Sequence, residues 1–160
     1  MVHRRLETSE APMATVRSIL ARKTQDRPTL VTVERAARVR DAVRLMAEHG
    51  IGGLPVVGVD GRVAGIFTER DLLRRVVALD LDPAETPVEV VMTSPVIVGT
   101  PATPLEECAA VMTSRRLRHL PIVDEEQLVG MVTIGDVLAQ RLVEQEVTFA
   151  ELNRYVFVMR

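Results

Sequence analysis

Two four-residue segments of this chain set a hydroxyl, a carboxylate and the start of a helix side by side: Thr68-Glu69-Arg70-Asp71 and Thr133-Ile134-Gly135-Asp136. A carboxylate so placed can accept hydrogen bonds from two neighbouring sugar hydroxyls, and a threonine at a helix N-terminus suits a phosphate. The same spacing is that of a capping box, in which Thr and an acidic residue three positions on close the first helical turn. Spacing alone does not separate the two uses, and one group can serve both. Basic side chains stand nearby in the sequence: Arg70 lies inside the first segment, and Arg118-His119 precede Leu120-Pro121. The corresponding place earlier in the chain, before Leu54-Pro55, holds Gly52-Gly53.

That correspondence extends along most of the chain. Pro55 and Pro121 are 66 residues apart, as are Met46 and Met112, Ile51 and Leu117, and Val31 and Ile97. Beyond the turn the offset falls to 65, for Gly65 with Gly130 and Asp71 with Asp136. One residue is lost between "VGVDGR" and "VDEEQ", a turn, where a deletion breaks no buried backbone bond. The chain is an internal repeat.

Each copy implies the same elements. Val39, Ala42, Val43 and Met46 fall at helical spacing, as do Leu105, Cys108, Ala109 and Met112, so each set makes an apolar stripe on a helix. Thr103-Pro104 reads as an N-cap followed by proline in the first helical position. "LPVVGV" with "RVAGIF", and "LPIV" with "QLVGMV", read as strand, turn, strand. "LVTV" and "PVIV" supply a strand ahead of each first helix, and "TERDLLRRVVAL" and "TIGDVLAQRLVEQ" open the last ones. Each unit is β-α-β-β-α, too small to bury a sufficient core alone, so two should pack sheet to sheet about a pseudo-two-fold axis. The fold class is α/β (α+β). The expected divisions are a polar extension over 1–12 with Met13 as an alternative start, a first repeat with its leading helix over 13–80, a second over 81–143, and a helical tail over 144–160. Phe149, Tyr155 and Phe157 in that tail point to docking on another surface.

Composition excludes several functions. The net charge of −2 and an aromatic content of 2% give neither an electrostatic field nor a stacking platform for nucleic acid. No apolar run approaches a membrane span and no secretory leader is evident, so the expectation is a cytoplasmic protein. His3, His49 and His119 lack metal-ligand spacing, and Cys108 lies on the buried stripe. No nucleophile-base pattern, acid pair or phosphate loop appears, which points away from an enzyme.

Doubled x-x-Leu-Pro-Val/Ile-Val and Gly-φ-φ-Thr-x-x-Asp units resemble a tandem pair of CBS domains, the regulatory module of the cystathionine β-synthase type, over about residues 14–143. Stand-alone bacterial members also begin near "TVRSIL" and end near Arg-x-Tyr. The resemblance implies a non-catalytic sensor of adenosine-containing ligands (AMP, ADP, ATP, NAD(H) or S-adenosylmethionine), requiring no cofactor and acting as a homodimer on an unknown regulated protein. It also implies two clefts. One combines Thr68, Arg70 and Asp71 with Thr103, Leu117, Arg118 and His119. The other combines Thr133 and Asp136 with Ala37, Ile51, Gly52 and Gly53. The first should hold phosphate, and the Gly-Gly cleft should be weaker or less charged. The alternatives are an interaction module with empty clefts and an NAD(H)-using enzyme with His119 as proton donor.

Overall fold

A computed structural model of the 160-residue chain describes the backbone of residues 13–26 and 30–158 and the side chains up to residue 148. The readings made of residues 1–12, of His3 and of the tail aromatics lie outside the described residues or side chains.

In chain order the elements are α1 (Val16–Asp26), β1 (Val33–Glu34), α2 (Val39–His49), β2 (Gly53–Val57), β3 (Val63–Thr68), α3 (Glu69–Asp71), α4 (Val88–Val91), α5 (Leu105–Arg115), β4 (His119–Asp124), β5 (Gln127–Thr133) and α6 (Ile134–Val158). In the first sheet β1 pairs parallel with β2, and β2 pairs antiparallel with β3, Pro55 opposite Ile66. In the second β4 pairs antiparallel with β5, Pro121 opposite Met131. The strand expected at "PVIV" is reduced to a single parallel bridge, Gly99 with Ile122. Pro95 has no N–H to give a ladder, and the segment meets β4 only through Gly99 N to Pro121 O and Val123 N to Gly99 O, both 2.9 Å. The two hairpins run side by side. Gly53 lies against His119 at one end, and Arg62 pairs with Glu126 at the turns.

Each repeat completes its core with a helix from outside its own hairpin. Val88 and Val91 of α4 pack with Val39, Met46, Leu54, Val56 and Phe67 of the first unit. Val16 and Ile19 of α1 pack with Leu105, Cys108, Met112, Leu120 and Ile122 of the second. Helix α1 precedes the first repeat in sequence yet belongs to the core of the second, so the halves are interlocked.

The helix starts depart from the local reading. Pro104, not Thr103, occupies the N-cap position of α5, and no side chain caps that helix. The Thr103 hydroxyl instead accepts from Thr100 N at 2.9 Å. The free N–H of Leu105 donates to Ala14 O, 3.0 Å away on the approach to α1. Ala37 likewise stands outside the cap of α2, which is Arg38; Val39 N at the start of α2 donates to Thr86 O at 2.9 Å, and the Ala37 carbonyl accepts from Val88 N, the first of α4, at 2.8 Å. Backbone from the other interlocked segment replaces the missing caps. After α3 the helical path widens into a π-type turn over Leu72–Val76 and tightens over Val77–Leu79, where a regular helix was expected.

Candidate functional site

Strand β3 delivers Thr68 to the N-cap of α3, and the capping box forms in full. The Thr68 hydroxyl accepts from Asp71 N, while Asp71 Oδ2 accepts from both Thr68 N and Thr68 Oγ1 at 2.9 Å. Asp71 Oδ1 accepts from Thr93 Oγ1 at 2.8 Å, and Arg75 stands 3.6 Å from the same oxygen. Asp71 is 4% exposed, the one buried charged residue among those described. Its burial is tolerated because every contact is hydrogen-bonded or cationic.

A cavity of about 440 Å³ opens against this turn. Thr68, Glu69, Arg70, Asp71 and Arg74 line it from the first repeat, with Thr93 from the connecting segment and Leu117, Arg118 and His119 from the second. Six of the seven residues expected of the first cleft are therefore brought together. The seventh, Thr103, is engaged in its own turn with Thr100. Sequence reading missed Arg74 and Thr93. Arg74 follows Arg70 by four residues, a spacing that puts both on one helical face, whereas Thr93 belongs to no motif. Three exposed arginines, Arg70, Arg74 and Arg118, line the cavity together with the threonine and the carboxylate. Arg70 Nη1 donates to Arg116 O at 3.0 Å, which ties the first repeat to the second across the mouth. Such an arrangement suits an anion held beside a polyhydroxylated group.

The opposite cleft has different chemistry. Ile51 lines a cavity of about 510 Å³ with Leu20, Leu30, Val31 and Met131, and Lys23 stands on the wall. Thr133, Asp136, Gly52 and Gly53 are not on that wall. Gly52 instead lines the first cleft. Gly53 is buried, and a Cβ there would come within 3.1 Å of Thr68 Cγ2 and 3.3 Å of the His119 ring. Gly53 and His119 are the equivalent positions of the two repeats, 66 residues apart, and they meet between the clefts. A side chain at Gly53 would require Thr68 and the His119 ring to give way by a few tenths of an ångström, and the glycine leaves that space to His119.

Asp136 Oδ2 accepts from Thr133 N at 2.7 Å and from Lys23 Nζ at 2.8 Å, and Lys23 Nζ also donates to Met131 O at 2.9 Å. Burial alone would push the Asp136 carboxyl up. The hydrogen bonds from Lys23 and Thr133 and the lysine charge outweigh it and hold the group below its ordinary value. Lys23 therefore supplies a cation to the cleft expected to be less charged. His119 is pushed below its ordinary value chiefly by burial. Glu69 opposes that, Lys23 and Arg118 add to it, and Asp136 opposes it. Cys108 lies in the second core, its thiol pushed up by burial and by Glu107. Among the described residues no three His, Cys, Asp or Glu side chains gather as metal ligands. No helix among them is long and apolar enough to cross a membrane.

The CBS domain model matches residues 12–78 and again 88–142. The chain belongs to the CBS-domain family. It is 37% identical over 122 residues to the mitochondrial CBS domain-containing protein CBSX3 of Arabidopsis thaliana, across 74% of this chain and 59% of that relative. The chain thus spans under two thirds of that relative's length. A solved structure of a Burkholderia ambifaria protein with CBS domains superposes with a TM-score of 0.76 at 42% identity, covering 82% of this chain and 96% of that one. The structure of CBSX2 in complex with AMP superposes with a TM-score of 0.64 at 28% identity, covering 74% and 92%. Two CBS units in tandem, with the mixed helix-and-strand fold of that family, account for the internal repeat.

Proposed function

We propose that this CBS pair is a non-catalytic regulatory module that binds a phosphorylated adenosine, AMP, ADP, ATP or NAD(H), in the first cleft. The observation that carries the reading is the cavity where Arg70, Arg74 and Arg118 converge on the wall formed by Thr68 and Asp71. Phosphate would take the guanidinium groups, and the ribose hydroxyls would lie against the carboxylate. The AMP complex of CBSX2 supports the choice of ligand class. A thermal-shift screen against AMP, ADP, ATP, NAD, NADH and S-adenosylmethionine tests it. A ligand at a hundredfold excess over its dissociation constant stabilises the fold by ~2.7 kcal/mol. No shift with any of the six, and no heat on titration, would refute it.

The completed capping box favours a second reading, in which Asp71 serves structure alone and the clefts of an interaction module stay empty. Nucleotide titration separates the two.

The module would act as a homodimer in the cytoplasm, relaying ligand occupancy to a regulated protein rather than to nucleic acid or a membrane. Leu73 and Val77 are 62% and 59% exposed, and their equivalents 65 residues on, Leu138 and Leu142, are 55% and 62% exposed. Two apolar stripes related by a pseudo-two-fold suit a self-complementary interface. Light scattering on Leu73→Glu and Leu138→Glu variants should report monomers.

A further inference from the structure

Lys23 is the single lysine among the 20 Lys and Arg residues of the chain. It reaches across 113 residues of sequence to a carboxylate equivalent to one lining the first cleft. Its position relative to the second cavity is specific: Lys23 is on the cavity wall and Asp136 is not. Lys23 thus links the two, lining the cavity and hydrogen-bonding Asp136 through its ammonium. In the first cleft the relation is reversed: Thr68 and Asp71 are on the wall, and the cation paired with Asp71, Arg75 at 3.6 Å, is not.

We propose that Lys23 sets a phosphate requirement on the second cleft. Its ammonium occupies Asp136 until an anionic group on the ligand draws it off, so this cleft accepts phosphorylated nucleosides and rejects unphosphorylated ones. This rests on the nucleotide-binding reading above and extends it to the second cavity. The energetic reason lies in the pair itself. The Lys23 and Asp136 side chains are only 34% and 21% exposed. An uncharged nucleoside that took the carboxylate with its hydroxyls would leave the ammonium with Met131 O but without the Asp136 charge and partly out of water, which is costly. A phosphate supplies the replacement anion, and Asp136 is then released to the ribose. Lysine suits that exchange because its charge is a point on a flexible stem, free to swing between two anions without losing a fixed two-pronged geometry. The cavity of about 510 Å³, in which Thr24, Asp26 and His49 stand with Lys23 among apolar side chains, lies within the size range of small-ligand sites.

The test is titration of AMP and adenosine into the full chain with ¹³C-methyl methionine. The Met131 methyl, which lines the second cavity, reports that cleft alone. In the wild type AMP should move the Met131 signal at concentrations at least tenfold lower than adenosine. Lys23→Gln removes the charge while keeping a donor for Met131 O, and Lys23→Ala removes both. Either variant, its fold checked by melting, should tighten adenosine several-fold and weaken AMP, bringing the two within about threefold. Equal response to AMP and adenosine in the wild type overturns the proposal, and that arm needs no variant. So does a ratio unchanged in a folded Lys23 variant. Nucleotide binding that depends on Arg118 while Met131 stays silent overturns this inference and leaves the proposed function standing. No binding of any nucleotide overturns both.

Discussion

Asp71 and Asp136 occupy equivalent turns, each three residues after the threonine that ends a hairpin, yet their second partners differ in kind. At Asp71 the partner segment is short. Met92 and Thr93 follow a four-residue helix, and Thr93 exchanges backbone bonds with Ile66 at 2.8 and 3.0 Å while its hydroxyl reaches the carboxylate. At Asp136 the corresponding helix, α1, runs 11 residues, and it is a side chain of that helix, Lys23, that reaches Met131 O. Lys23 does both jobs with one ammonium, donating to Met131 O and to the carboxylate. Neutral hydroxyl and backbone donors make the hydrogen bonds at one site, with Arg75 close by, and a lysine ammonium joins Thr133 N in making them at the other. The Arg75 guanidinium stands off from Asp71 at 3.6 Å, while Asp136 is hydrogen-bonded directly by the lysine ammonium at 2.8 Å. Two copies of one motif thus offer a ligand different chemistry.

Stability should reveal the difference most strongly. Asp71→Ala removes the acceptor for three donors at a buried site, and we expect a loss of about 3 kcal/mol. Asp136→Ala breaks a partly exposed pair and should cost nearer 1 kcal/mol. Urea midpoints at unchanged slope measure both. Equal losses would mean that the two carboxylates carry the same structural load.

Arg118→Ala sharpens the comparison on the side of binding. Losing one charge-assisted contact to phosphate should cost roughly 1.5–3 kcal/mol in AMP affinity at the first cleft. Adenosine should change little, and calorimetry with both ligands provides the check.

The glycine position comes next. Gly53→Ala places a methyl against Thr68 and the His119 ring and should destabilise by about 1 kcal/mol through overpacking. In a His119→Ala background the same change should cost less than half as much. Additive effects in that cycle would show that the two positions do not compete for space.

The smallest effect expected is on acid stability. The folded state holds His119 below its ordinary value, mainly by burial. As pH falls below the unfolded histidine value of about 6.5, the unfolded chain takes up the proton first, and stability declines until the folded imidazole is also protonated. His119→Gln should flatten the melting profile between pH 7 and 5. Asp136, also held below its ordinary value, contributes stability that is present above the ordinary carboxylate range and is lost at lower pH as the folded group takes its proton. Lys23→Gln should reduce that more acidic loss and, because the lysine charge also helps hold His119 down, should lessen the change above pH 5 slightly as well.

What the sequence determined by itself was local or periodic. The apolar stripes at helical spacing, the paired hairpins and the Thr-x-x-Asp boxes depend on residues within a few positions of each other, and the offset of 66 then 65 shows where the repeat loses a residue. Most of the first cleft was legible for the same reason, since its residues lie in two short motifs. Only the tertiary structure decided the rest. The exchange of α1 and α4 between cores, Gly53 yielding to His119, the backbone caps supplied by Ala14 and Ala37, and Lys23 on Asp136 are all contacts between segments far apart in the chain. No periodicity marks such pairs, because a side chain finds its distant partner only after packing has brought the two surfaces together.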